Sequence, residues 1–166
     1  MTNDLLARIG AAVEAVRGHT ALEPRVGIVL GTGLGALVGV IDVEATVPYA
    51  EIPGIPVPTV ESHAGRLVFG SLGGTPVVAM QGRFHRYEGY TLQEVVFPIL
   101  VLKSLGAETL VVSNVSGGMH PLWSVGELVL LDDNINLLGD SPLVGPNVDE
   151  VGRRFPDMSA TYDPEL

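Results

Sequence analysis

"RLVFGSLGGTPVVAMQGRFHRYEGY" (Arg66 to Tyr90) decides how the rest of the chain is read. Its first part sets β-branched and apolar residues on both sides of the glycine pair Gly73–Gly74. That is the pattern of two strands joined by a tight turn, so a β-hairpin is expected. Its second part changes character at Gly82. Arg83, Phe84, His85, Arg86, Tyr87, Glu88 and Tyr90 crowd into one loop. The chain as a whole is only 17% charged and 5% aromatic, so this concentration is local. A strand that feeds directly into cations and rings places them at a sheet end, where loops carry function.

Working outward, "VGIVL" (Val26 to Leu30) is a β-branched run ending at the glycine-rich "GTGLG" (Gly31 to Gly35), and it reads as a buried strand. Before it, Leu5, Ile9, Ala12, Val13 and Val16 recur at helical spacing, with Thr2, Asn3 or Asp4 to cap and Gly18 to stop. Residues 49–60, with Pro53, Pro56 and Pro58, read as a surface loop. After the charged loop, Thr91 and Glu94 have capping-box spacing and open a helix through Leu105, with Pro98 inside it and Gly106 as its stop. "TLVVSN" and "ELVLLDD" read as two further strands. Ser159 or Thr161, followed by acidic residues, has the look of a helix start. The layout is α/β, a mixed central sheet flanked by helices, with no internal repeat and a single domain over residues 1–166.

Composition narrows the function. The chain has 166 residues, no cysteine, and nine basic against nineteen acidic residues for a net charge of −10. Thiol catalysis and disulfides are excluded. An acidic surface disfavours nucleic acid and anionic membranes as partners. Met1 to Gly18 is amphipathic and unlike a signal peptide, and apolar runs such as Val95 to Leu102 are too short to span a bilayer. Zinc sites built on cysteine are excluded as well, and a cytoplasmic protein is expected.

Several segments carry chemistry. Glycines after a buried strand expose backbone N–H groups that can cradle an anion, and Thr32 adds a hydroxyl there. Gly31, Gly33 and Ala36 also satisfy the loose dinucleotide fingerprint, so a dinucleotide-binding half-domain stays open, as does a plain strand exit. His63 precedes a glycine and a strand, and a lone loop His of this kind is more often structural or solvated than a ligand. Arg83, His85 and Arg86 are anion donors, and the planar Arg fork matches phosphate. Tyr87 offers a ring and a hydroxyl suited to a sugar, and Glu88 can orient a neighbouring His. The competing reading is a self-neutralising turn. "VVSNVSGGMH" (Val111 to His120) is a second strand running into small and amide residues, so two exits and the Arg/His loop can converge on one anion.

In order, "GIVLGTGLG", "SHAGRLVFG", "QGRFHRYEGY", "VVSNVSGGM", "VGELVLLDDNINLLG" and "GRRFPDMSATYD" closely resemble the trimeric type of purine nucleoside phosphorylase, over about Val26 to Leu166. The resemblance implies phosphorolysis of purine nucleosides to free base and pentose 1-phosphate, with inorganic phosphate as co-substrate and no cofactor. It implies phosphate contacts from Thr32, His63, Arg83, His85 and the backbone N–H of Val115. It gives His85 a catalytic part, to which we add Glu88 as the support of His85, and it places Tyr87 at the ribose. Phe155 would reach a neighbouring subunit's sugar pocket, hence a homotrimer. Val115 stands where the family usually has Ala, and Asn134 where it usually has His. In the family, the carboxylate that reads the purine and an Asn that bonds the departing ring follow later than the counterpart of Leu166. The resemblance therefore leads us to expect an incomplete phosphorylase domain lacking the C-terminal part of the fold. A non-catalytic remnant that binds phosphate, or assembles with a longer homologue, is the alternative.

Overall fold

The computed structural model describes residues 2–31, 33–56 and 65–165. They form two compact units, Met1–Val115 and Ser116–Leu166.

The first unit holds all the regular elements. Helix α1 (Thr2–Arg17) is followed by strand β1 (Val26–Val29), a 3-10 segment over Gly35–Val40, and strand β2 (Asp42–Pro48). A short 3-10 turn at Tyr49–Glu51 comes next, then β3 (Arg66–Leu72), β4 (Thr75–Gln81), a 3-10 turn at Arg86–Glu88, helix α2 (Leu92–Ser104) and β5 (Thr109–Val112). The sheet order is β2-β3-β4-β1-β5. β1 runs parallel to β4 and β5, while β2, β3 and β4 are antiparallel in turn. The sheet is thus mixed, as the sequence pattern leads one to expect.

Local chemistry explains the elements. Gly73 and Gly74 both take positive φ, 58° and 82°, which the tight β3–β4 turn requires. Thr91 caps α2: its hydroxyl accepts from the Glu94 N–H at 3.2 Å, and Glu94 Oε2 accepts from the Thr91 N–H at 2.7 Å. α2 lies against β1 at Gly27, where a Cβ would stand 3.2 Å from a Leu102 methyl. Ile28 points to the opposite face and joins Leu30, Ile41, Val68, Val77 and Ala79 in one cluster, with Leu37 and Val38 of the 3-10 segment packed on it. Both faces of β1 are therefore covered, which is why its sequence is a continuous apolar run. α1 is tied to the end of α2 by Arg17, whose guanidinium donates to Leu105 O at 2.9 Å and to Leu22 O at 2.7 Å.

Several sequence readings need correction. Residues 42–48, left without an assignment, form edge strand β2, with an irregularity between Val43 and Ala45. Only Val47 in it is buried, so the apolar alternation that marks a strand is faint. The expected surface loop over 49–60 is anchored inward as far as it is described: Tyr49, Ile52 and Ile55 are all core residues. Residues 57–60 lie outside the described residues. No dinucleotide-type helix follows Gly31–Gly35; a 3-10 segment and an antiparallel strand do, which removes support for that alternative.

The second unit is built of turns held by local hydrogen bonds. Arg154 Nη1 donates to Leu143 O and Gly145 O, and Asp157 accepts from the Ser159 N–H and hydroxyl. The strand expected at "ELVLLDD" is not formed. Leu128 and Leu130 are 93% and 90% exposed, and no ladder pairs the segment. An apolar run becomes a strand through cross-strand pairing and burial, and neither is present here. The helix start expected near Ser159 is likewise a turn, since Asp157 takes the Ser159 hydroxyl. No helix among the described residues is long and apolar enough to cross a membrane.

Candidate functional site

The charged loop leaves β4 at Gly82, whose φ of 112° turns the chain away from the sheet. The turn is bolted down from beneath. The buried Tyr49 hydroxyl donates to Gly82 O at 2.6 Å. Burial pushes the Tyr49 phenol well above its usual range, so it stays a donor. The Phe84 ring is buried between Tyr49 (centroids 5.6 Å apart) and Tyr90 (5.5 Å, edge to face). With Phe84 pointing inward, Arg83 and His85 on either side face the sheet end.

Arg83 and His85 meet directly. Arg83 Nε donates to His85 Nε2 at 2.9 Å, and Arg83 Nη1 donates to Ser113 O at 2.5 Å. His85 Nδ1 is 2.6 Å from Glu88 Oε1, which also accepts from the His85 backbone N–H at 3.0 Å. The Arg83 Nε–H can only donate, so His85 Nε2 accepts and Nδ1 carries the proton towards Glu88. The Glu88 side chain is 5% exposed, so its carboxylate acts on the ring with little water between them. Arg86 turns away, donating to Tyr90 O at 3.2 Å, and is exposed.

The two strand exits converge on the same place. Ser113, just past β5, donates from Oγ to Val29 O at 3.0 Å and accepts there from the Gly31 N–H at 2.8 Å. A Cβ on Gly31 would stand 2.5 Å from Ser113 O, so only glycine fits this approach. The Gly31 N–H is therefore engaged with Ser113, one amide fewer for the anion nest that the glycine run suggests.

The sequence-derived candidates fall into four groups. Arg83, His85 and Glu88 are joined in one hydrogen-bonded chain. Tyr87 is exposed and stacks on His85, with centroids 4.6 Å apart and planes 17° from parallel, and Val115 is exposed just past the β5 exit. Phe155 belongs to the second unit and is 86% exposed. Thr32 and His63 lie outside the described residues. Two residues that sequence reading missed, Tyr49 and Ser113, hold the loop and the exits in place. A lone aromatic in a proline-rich stretch, and a hydroxyl immediately after a strand, were the only signals of them. Among the described residues, no group of three or more His, Asp or Glu side chains is placed to hold a metal ion.

Fold and site define an α/β protein in which an Arg–His–Glu relay stands at the carboxyl ends of parallel strands β1, β4 and β5. The sequence profile of the phosphorylase superfamily matches residues 25–166, and the chain belongs to that family. It is 46% identical to purine nucleoside phosphorylase 1 of Bacillus subtilis over 159 residues, 96% of this chain and 59% of that protein. It is 50% identical to the purine nucleoside phosphorylase of Bos taurus, covering 89% of this chain and 52% of that one. The crystal structure of isoform 2 of purine nucleoside phosphorylase from Schistosoma mansoni, in complex with cytosine and ribose-1-phosphate, superposes with a TM-score of 0.89 at 42% identity. That match covers 96% of this chain and 57% of the Schistosoma chain. The chain thus spans somewhat over half the length of these relatives.

Proposed function

We propose that this chain carries the phosphate-binding part of a purine nucleoside phosphorylase, and that the protein's reaction is phosphorolysis. A phosphate oxygen attacks the anomeric carbon of the nucleoside. The C–N bond to the purine breaks, the base leaves with the bonding electrons and takes up a proton, and pentose 1-phosphate forms. The observation that carries this reading is the Arg83–His85–Glu88 relay meeting Ser113 where the β1 and β5 exits come together. Family membership and the relatives' names support the choice of chemistry.

In this proposal Arg83 and His85 hold phosphate, His85 Nε2 exchanging the Arg83 Nε–H for an O–H of hydrogen phosphate, joined by Thr32, His63 and the Val115 N–H, and Tyr87 packs against the ribose. Glu88 keeps His85 in the tautomer whose Nδ1–H it accepts. Phosphate held beneath the sugar is both the nucleophile and the negative partner of an oxocarbenium-like transition state. Catalysis then rests on positioning and fields, with no covalent protein nucleophile. We further propose that residues 1–166 all belong to one phosphorylase domain, in a cytoplasmic homotrimer in which Phe155 completes a neighbour's sugar pocket. The family resemblance of "GRRFPDM" supports the last point.

The test is release of hypoxanthine from inosine by the purified chain, with phosphate binding followed beside it: phosphate binding without release would identify the phosphate part of the site without its base-reading part. Release should require phosphate and fall by about a hundredfold or more in Arg83→Ala, the scale of a lost charge-assisted contact to a developing anion. Release that is independent of phosphate, or indifferent to Arg83, would exclude phosphorolysis through this loop.

A further inference from the structure

Three segments that the functional reading brings to phosphate meet at Ser113, a residue that is not among the phosphate contacts of that reading. We propose that Ser113 is the positioning residue of the anion site, clamping the β1 exit to the β5 exit with its hydroxyl and orienting Arg83 with its carbonyl. The inference rests on the phosphate-binding reading above.

The geometry is specific to a small hydroxyl. Ser113 Oγ donates to Val29 O at 3.0 Å and accepts from the Gly31 N–H at 2.8 Å, so its single proton and one lone pair are both engaged. The Ser113 backbone N–H also donates to Val29 O, at 3.0 Å. The residue is thus gripped from its main chain and its side chain by the same turn of β1. That grip fixes where its own carbonyl points, and this carbonyl accepts from Arg83 Nη1 at 2.5 Å. Arg83 is held at a second point by His85 through Nε. Two anchors on a planar guanidinium set the orientation of the plane, and with it the direction of the other N–H groups. An arginine loses much rotamer freedom when it binds an anion. Here that freedom is removed in advance, by a serine on a different strand. Gly31 completes the arrangement, because its missing Cβ lets the Ser113 carbonyl come close.

Inorganic phosphate titrated into the 166-residue chain by calorimetry tests this, alongside NMR observation of the Arg83 Nε–H. Ser113→Ala should weaken phosphate binding about tenfold, as expected when a preorganised charged donor is loosened. Ser113→Thr, which keeps the hydroxyl, should return affinity to within about threefold of wild type. Exchange of the Arg83 Nε–H with water should accelerate in Ser113→Ala and recover in Ser113→Thr, while the ring signals of Phe84 and Tyr49 hold their positions. A general loss of structure would move those rings as well and would overturn the proposal. If Ser113→Ala does not fold, Ser113→Cys replaces it, with a weaker donor of similar size and an expected intermediate loss. Wild-type affinity in Ser113→Ala, with binding still abolished by Arg83→Ala, would overturn the part given to Ser113 and leave the phosphate reading standing. Absence of phosphate binding by the wild-type chain would overturn both.

Discussion

Arg83 has protein acceptors at Nε and Nη1, His85 Nε2 and Ser113 O, so its direction is set by the fold. His85 depends in the same way on Glu88, which accepts from both its backbone N–H and its ring at 3.0 and 2.6 Å. Glu88→Gln keeps an acceptor oxygen but removes the charge and can present an N–H to the ring. Phosphorolysis should fall about tenfold, with a smaller change in the unfolding midpoint. A rate equal to wild type would free His85 from Glu88. Tyr49 offers a second test at this scale. Tyr49→Phe leaves the Gly82 carbonyl buried without its donor and should cost about 1–3 kcal/mol in urea unfolding. The phenol ionises far less readily in the folded chain than at its ordinary value of 10.0. The unfolded chain therefore gives up this proton first, and wild-type stability should decline as pH rises beyond about 10. Tyr49→Phe should lack that part of the decline, which urea titrations at pH 8 and 10.5 would reveal.

Legibility at this scale followed local chemistry. Arg83, His85 and Glu88 sit within six residues of sequence, and their residue types announce an anion site. Ser113 bonds to Gly31 and Val29 across sequence separations of 82 and 84, and no local pattern encodes that meeting. Tyr49 bonds Gly82 across a separation of 33 and stood in a stretch that its prolines made look like surface.

Elements were readable where a signal lies within a few residues. The paired glycines of the β3–β4 turn and the Thr91–Glu94 box are such signals, and both elements form where the pattern puts them. Thr91→Ala should lower stability by about 1 kcal/mol, measured by urea unfolding, since an N-terminal donor of α2 loses its acceptor. Glu94 is held below the usual carboxylate range, chiefly by the Thr91 hydroxyl and then by the Thr91 N–H. Its contribution is present above the ordinary carboxylate pKa and is lost as pH falls through the lowered one. Glu94→Gln should therefore match wild type at low pH and differ from it near neutrality. β2 escaped notice because an edge strand with one buried side chain lacks the two-residue alternation. "ELVLLDD" misled for the converse reason: it has the apolar content of a strand, yet no partner pairs with it among the described residues.

For the molecule as a whole, the mixed sheet brings parallel strands β4, β1 and β5 side by side, so three exits open at one end. α2 on one face and the Ile28 cluster on the other keep β1 buried, which gives the site a rigid floor. Phosphate that binds only the folded chain must stabilise it by mass action, by about 2.7 kcal/mol at a hundredfold excess over the dissociation constant. The unfolding midpoint should rise with phosphate in wild type and stay level in Arg83→Ala. Most direct is an NMR titration of the imidazole nitrogens of His85 with inorganic phosphate, in wild type and in Arg83→Ala. Saturable movement of the His85 signals in wild type, lost in Arg83→Ala, is the result expected if the relay is a phosphate clamp. His85 signals that stay fixed as phosphate is added would contradict it.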